Sequence, residues 1–319
     1  MSTKAFKLLG KKIKRGESTF LDLEIARLHT RTPVKIPVIV NRAEKDGPVL
    51  LLMAGVHGDE VNGVAIVREI IKHKYHIPQC GTIICIPVLN VFGYLNQERV
   101  FPDGRDLNRM FPGTASGSLA SQFAYTFRKE IAPLVDYVID FHTGGASREN
   151  VAQVRCVFKE EKTLALAKVF DAPFIVNSDY IAKSIRHTLH KLGKTVLLFE
   201  GGKSKYFDGD IIETGVEGAH NVMQHLGMQA GKPKNKTLTV LVKKSKWVRA
   251  NYSGMFNPMV VNGSKVKKGD VMGFISDPYG EFEKSVKAPF EGYVFCINKS
   301  PVINKGNALF HVSVEVDKD

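Results

Sequence analysis

Pro48-Val-Leu-Leu-Leu-Met-Ala-Gly55-Val-His57-Gly-Asp-Glu60 sets how this 319-residue chain is read. From Val49 to Ala54 every position is apolar, the pattern of a strand buried on both faces rather than one alternating toward water. The run ends in glycine, and a helical pattern follows over residues 60–73, with Val64, Val67, Ile70 and Ile71 on one side. His57 and Glu60 therefore fall at the carboxyl end of a buried strand, where open α/β sheets bind ligands.

Working outward, an earlier apolar run, Val34-Lys-Ile-Pro-Val-Ile-Val40, precedes it, and the turn signal Lys45-Asp46-Gly47 is predicted to separate the two. Downstream, Thr82-Ile-Ile-Cys-Ile-Pro-Val-Leu89 predicts another buried strand, and residues 118–131 a helix opened by a serine cap. Tyr137-Val-Ile-Asp-Phe141 reads as a strand, residues 164–170 as a helix, and Thr195-Val-Leu-Leu-Phe199 as a strand. This alternation predicts an α/β fold with helices on both faces of the sheet.

The composition shifts near residue 230. Gly231-Lys-Pro-Lys-Asn-Lys236 reads as a linker, and short β-type runs broken by glycines follow. The expected division is residues 1–230 as a catalytic domain and 236–319 as a small all-β domain. A length of 319 residues suits one large and one smaller unit, and 44% apolar residues can fill a sizeable core.

Cys80, Cys85, Cys156 and Cys296 are scattered without C-x-x-C spacing, which argues against a cysteine zinc site and fits a reducing compartment. No apolar h-region follows the N-terminus and no run reaches the roughly 18 apolar residues of a membrane helix, so a soluble, cytoplasmic protein with no membrane partner is expected. The net charge of +13 fits either a field that draws small anions or nucleic-acid binding. Its basic runs, at residues 11–15, 232–236, 243–246 and 265–268, are not interleaved with aromatics, and no nucleic-acid partner is predicted. A homo-oligomer is compatible with the sequence, which does not specify one.

Three side chains converge in this reading. His57 and Glu60 can turn toward one point, and His142, in Asp140-Phe-His-Thr-Gly-Gly145, follows another buried strand onto the same sheet edge. Two imidazoles and a carboxylate are the donor set of a catalytic zinc, which keeps a position open for water. Alone, His142 reads better as a satisfied core histidine; with His57 and Glu60 on matching strand ends, the metal reading prevails. Asp140, two residues back on the same side, can orient it. Glu200 ends an apolar strand, and near a metal it can act as general base and acid; a surface ion pair or a fourth ligand is the alternative. In Arg99-Val-Phe-Pro-Asp-Gly-Arg-Asp-Leu-Asn-Arg-Met-Phe-Pro-Gly113, Arg109 and Asn108 can hold a carboxylate, and Arg99 can polarise a carbonyl. Arg105 is either a substrate contact or a salt-bridge partner of Asp103 or Asp106. Arg148, Asn150, Gln153 and Arg155 are candidates for substrate contact or for structural hydrogen bonds, with Arg186 behind them.

Taken together, G-V-H-G-D-E-V-N-G, P-D-G-R-D-L-N-R-M-F-P-G, D-F-H-T-G, R-E-N-V-A-Q-V-R and L-F-E-G-G resemble, in order, the motifs of the succinylglutamate desuccinylase/aspartoacylase family of the zinc carboxypeptidase clan, in its deacylase branch. The resemblance implies a zinc-carboxypeptidase-like mixed sheet with a C-terminal β domain. It implies one zinc per chain on His57, Glu60 and His142, with Glu200 as base and acid and Arg99 polarising the carbonyl. Asn108 and Arg109 are the implied carboxylate-binding residues, and Arg105 and Arg155 stand beside them as substrate-binding candidates from their own sequence context. The implied activity is cleavage of the amide of an N-acyl amino acid or a similar small carboxylate. A metallocarboxypeptidase acting on short peptides, and a non-catalytic binding protein, are the competing readings. Val286-Lys-Ala-Pro-Phe-Glu-Gly-Tyr-Val294 also resembles a biotinyl/lipoyl-type hammerhead, but Ser276-Asp-Pro-Tyr-Gly280 stands where a carrier lysine would sit. A structural or gating module is expected instead.

Overall fold

The computed structural model describes residues 6–234 and 238–318, so the expected boundary at residue 236 lies outside the described residues. Strands β1 (Phe6–Leu8) and β2 (Lys11–Ile13) make a small antiparallel pair. A twelve-stranded mixed sheet carries the rest. At its centre β6 (Cys80–Ile86), β5 (Lys45–Ala54), β7 (Tyr137–Gly144) and β10 (Thr195–Lys203) run parallel. On one flank β4 (Pro33–Arg42) and β3 (Ser18–Arg27) continue it antiparallel. On the other, β8 (Arg148–Cys156) runs antiparallel to β10, and β9 (Phe174–Asn177) parallel to β8.

The apolar run of β5 is explained by two cores. Leu50, Leu52 and Ala54 face one core with α1 (Val61–Lys72), α4 (Glu161–Phe170) and α6 (Gly209–His225). Leu51 and Met53 face a second, with α3 (Leu119–Glu130) and α5 (Ile185–Lys191). A short helix, α2 (Val91–Asn96), follows β6. The predicted serine cap is present, since Ser118 Oγ accepts from Ser121 N at the start of α3. The turn expected at Lys45–Gly47 lies elsewhere. The chain reverses at residues 43–44, β6 inserts between β4 and β5, and residues 45–47 belong to β5. Gly47 is needed there for contact, because a Cβ would stand 2.8 Å from the backbone N of Gly81 on the neighbouring strand.

From residue 238 onward the regular elements among the described residues are all strands. β12 (Gly254–Pro258), β14 (Val271–Ser276), β15 (Glu283–Lys287) and β17 (Val302–Ile303) form a separate four-stranded sheet. β11 (Val240–Arg249), β13 (Lys265–Val266), β16 (Gly292–Asn298) and β18 (Ala308–Lys318) instead join the large sheet. β11 pairs with β9 and with β18, β18 pairs with β16, and β16 pairs back onto β8. Those five strands close a ring, filled by Phe174, Val176, Val242 and Phe295 with Val151. Among the described residues no helix is long and apolar enough to cross a membrane.

Candidate metal and substrate site

Gly63 lets α1 lie directly on β7, since a Cβ there would meet the Phe141 carbonyl oxygen at 2.5 Å. That approach brings Glu60, at the N-terminal end of α1, to His142 at the end of β7. His57 Nδ1 lies 2.7 Å from Glu60 Oε1, and His142 Nδ1 lies 2.8 Å from Glu60 Oε2. All three side chains are buried, and their ligand atoms fall within 4.8 Å of one another.

Each imidazole is steered from its far side. His57 Nε2 lies 3.1 Å from Asp106 Oδ1. His142 Nε2 lies 3.0 Å from Asp140 Oδ2, at ion-pair distance but not aligned as a hydrogen bond. With Nε2 facing a carboxylate, the Nδ1 lone pair of each ring is the one left for a cation. Burial works to lower both histidine pKa values, but the carboxylates outweigh it: Glu60 and Asp106 raise His57, and Asp140 and Glu60 raise His142 well above the usual range. Glu60 is held well below the usual carboxylate range, because the two histidines overcome the effect of its burial. Carboxylates that draw protons onto both imidazoles make a site that suits a dication, so the residues present fit zinc.

Asp106 also organises the arginine-rich loop. It accepts from Asn108 N at 2.8 Å, capping the short turn Leu107–Arg109, and from Arg99 Nη2 at 2.9 Å. Arg99 reaches Glu60 Oε1 as well, at 3.1 Å. Asn90, fully buried, donates to the carbonyls of Arg99 and Val100 and so anchors the strand-to-loop junction.

A cavity of about 400 Å³ opens over this cluster. His57, Glu60, His142, Glu200, Arg99, Asn108, Arg109 and Arg155 all line it, whereas Arg105 and Gln153 do not. Arg105 stays outside the lining, exposed and paired with Asp103 at 3.5 Å, the salt bridge its sequence context left open. Asn108 is partly committed, since its Oδ1 accepts from Ile185 N at 2.9 Å. Glu200 Oε2 accepts from Asn150 Nδ2 at 2.6 Å and lies 3.4 Å from Arg155 Nη2.

A register shift between β10 and β8 explains Asn150. Glu200 pairs with Gln153, yet Gly202 pairs with Asn150 rather than the next residue in phase. The extra residue turns Asn150 onto the Glu200 side, a common use of a bulge beside a site. Gln153 is fully buried and does not line the cavity, while Arg186 lines it and donates to the carbonyls of Arg155, Ser178 and Asp179. Two lining residues, Trp247 and Cys296, come from the C-terminal strands and were not anticipated. Neither carries a motif; only the ring closure brings them here.

The sequence profile of the succinylglutamate desuccinylase/aspartoacylase catalytic domain matches residues 46–226. An N-alpha-acetyl-L-2,4-diaminobutyric acid deacetylase from Halomonas elongata is 28% identical over 260 residues, covering 76% of this chain and 75% of that protein. Among solved structures, the product-bound ectoine utilization protein EutE (DoeB) from Ruegeria pomeroyi superposes with a TM-score of 0.86 at 24% identity, over 96% of this chain and 98% of that one. A succinylglutamate desuccinylase/aspartoacylase from Rhodobacter sphaeroides gives 0.83 at 24% identity, over 96% and 97%.

Proposed function

Because the chain belongs to the succinylglutamate desuccinylase/aspartoacylase family, we propose that it is a zinc-dependent amidohydrolase cleaving the amide of an N-acyl amino acid or a similar small carboxylate. The observation that carries this reading is the convergence of His57 Nδ1 and His142 Nδ1 on the two oxygens of Glu60, with Glu200 in the same cavity. The Halomonas relative, named for removing an acetyl group from an amino acid, supports deacylation.

His57, Glu60 and His142 would hold one zinc per chain. When bound, a dication there acidifies a water and polarises an acyl carbonyl. The chain's own groups do the rest. Glu200 takes the proton from the attacking water and returns it to the leaving nitrogen. The bond from Asn150 occupies its Oε2 and leaves Oε1 without a protein donor among the described residues. Arg99, beside Glu60, stabilises negative charge developing on the carbonyl oxygen. Arg109 and Asn108 hold the carboxylate of the amino acid, and Arg155 steadies Glu200.

We read residues 1–230 as a zinc-carboxypeptidase-like catalytic domain and 236–319 as a C-terminal β domain that walls the cavity. Trp247 and Cys296 in that wall favour a short acyl amino acid over the tail of a peptide. The test is a panel of N-acyl amino acids and short peptides assayed on zinc-loaded protein. Turnover of the acyl amino acids supports the reading, and turnover of peptides alone sinks it.

A further inference from the structure

Resting on that reading for the word substrate, we propose that Arg148, over the ring of Trp247, is a specificity-determining receptor for a second anionic group of the substrate, besides the carboxylate held by Asn108 and Arg109. Both residues line the cavity that contains His57 and Glu200. A row of cross-strand partners carries the wall there: Gly202 on β10, Asn150 on β8, Cys296 on β16, His311 on β18 and Trp247 on β11. The Trp247 ring is fixed by His311, stacked at 4.2 Å and 12°. The Arg148 guanidinium carbon lies 5.5 Å from the indole centroid.

A cation–π contact consumes no hydrogen bond, so the guanidinium N–H groups remain to fork an oxyanion. The other lining arginines are engaged. Arg99 holds Glu60 and Asp106, Arg155 faces Glu200, Arg186 holds backbone carbonyls, and Arg109 donates to the carbonyl of Asn108. Among the described residues the Arg148 side chain has no hydrogen-bond or ion-pair partner, and neighbouring Glu149 turns to Lys299 at 3.7 Å. The lining holds five arginines against the carboxylates of Glu60, Asp140 and Glu200. Two of those three, Glu60 and Asp140, are already bound to the histidine cluster. An amine there would meet repulsion, and a carboxylate an unpaired guanidinium.

Trp247 is the single tryptophan of the chain, so intrinsic fluorescence reports this spot directly. The full chain, metal-free and zinc-loaded, is titrated with glutarate, butyrate and 4-aminobutyrate. Glutarate should perturb the emission saturably at a concentration at least about tenfold below butyrate, with 4-aminobutyrate weakest, as expected for one charge-assisted fork. Arg148→Gln should bring glutarate to the butyrate level while zinc content and melting temperature hold. Trp247→Phe, followed by calorimetry, should weaken glutarate by less than Arg148→Gln does. An unchanged glutarate midpoint in Arg148→Gln, or no preference for glutarate in the wild-type chain, overturns the proposal. If the preference depends on Arg148 and no acyl amino acid is hydrolysed, the hydrolase reading fails and the anion receptor stands. Hydrolysis indifferent to the charge of the substrate's second group overturns the receptor and leaves the hydrolase reading intact.

Discussion

Asp106 and Asp140 each face the Nε2 of one histidine, so each sets the tautomer that leaves Nδ1 for a metal. Asp140→Asn removes the charge and keeps the shape. Zinc affinity should fall by roughly 10–100-fold, the usual effect of losing such a partner, and competition with a chelator measures it. An unchanged affinity would mean that Asp140 does not orient the ring. Glu200→Gln should keep the zinc and the melting temperature while kcat falls by about 10²–10⁴-fold. A fall in zinc content would instead make Glu200 a ligand, and a fall in melting temperature alone would make it a structural ion-pair residue. Much of this cluster was legible in the sequence, because His57 and Glu60 follow one buried strand, His142 lies near the end of another, and Asp140 shares a strand face with His142. Asp106 was weighed only as a salt-bridge partner. Its contact with His57 spans 49 residues of chain, and no local pattern encodes it.

The elements that the sequence placed best, β5, β7, α3 and β10, carry long apolar runs or an explicit cap, which are local signals. β8 was read only as a source of polar candidates and not as a strand. Its Arg148, Asn150, Gln153 and Arg155 look unlike a buried strand, because that face meets the cavity and the ring rather than a hydrophobic core. The strands around β8 also set a titration. His311 on β18 packs between Trp247 and Phe295, with ring centroids 4.2 and 4.4 Å away. Burial, followed by the charges of Arg155 and Arg148, lowers its pKa to about 3. The unfolded chain takes up this proton near the ordinary histidine pKa of about 6.5, and the folded protein does not until much lower pH. Between those values the unfolded state holds more protons, so this group makes stability rise with pH. Its contribution is intact above about pH 6.5 and drains away as pH falls toward 3, by at most roughly 1.4 kcal/mol per unit. Urea unfolding of His311→Phe at pH 7 and pH 5 should show a smaller loss on acidification than the wild type. Equal losses would show that His311 is protonated in the fold.

At the scale of the whole molecule, the composition shift near residue 230 divides the chain in sequence more sharply than hydrogen bonding does. β11 extends the sheet from β9, and β16 pairs with β8, so strands from before and after the composition shift share one ring and its filling of Phe174, Val176, Val242 and Phe295. A composition shift does not say which strands pair across it, since pairing between residues so far apart in the chain, as Val240 with Phe174 or Cys296 with Asn150, leaves no local trace. Two lysines of the basic run at residues 243–246 pair with acids on the neighbouring strand, Lys243 with Asp317 and Lys244 with Glu315, contacts worth little individually. The ring decides what truncation does. A chain ending at residue 234 would strip β9 of β11 and β8 of β16, leaving two open edges and an uncovered apolar face that includes Phe174 and Val151. Open edges beside exposed aromatics are a route to aggregation. Such a chain should fail to melt cooperatively and should elute as aggregate on size exclusion, although every proposed zinc ligand is present in it. Hydrogen exchange on the intact protein tests the same claim without truncation: amides of β8 and β16 should open together as one unit. A soluble truncated chain with a cooperative transition and bound zinc would show that the first 234 residues fold alone, and that the ring serves the cavity wall rather than stability.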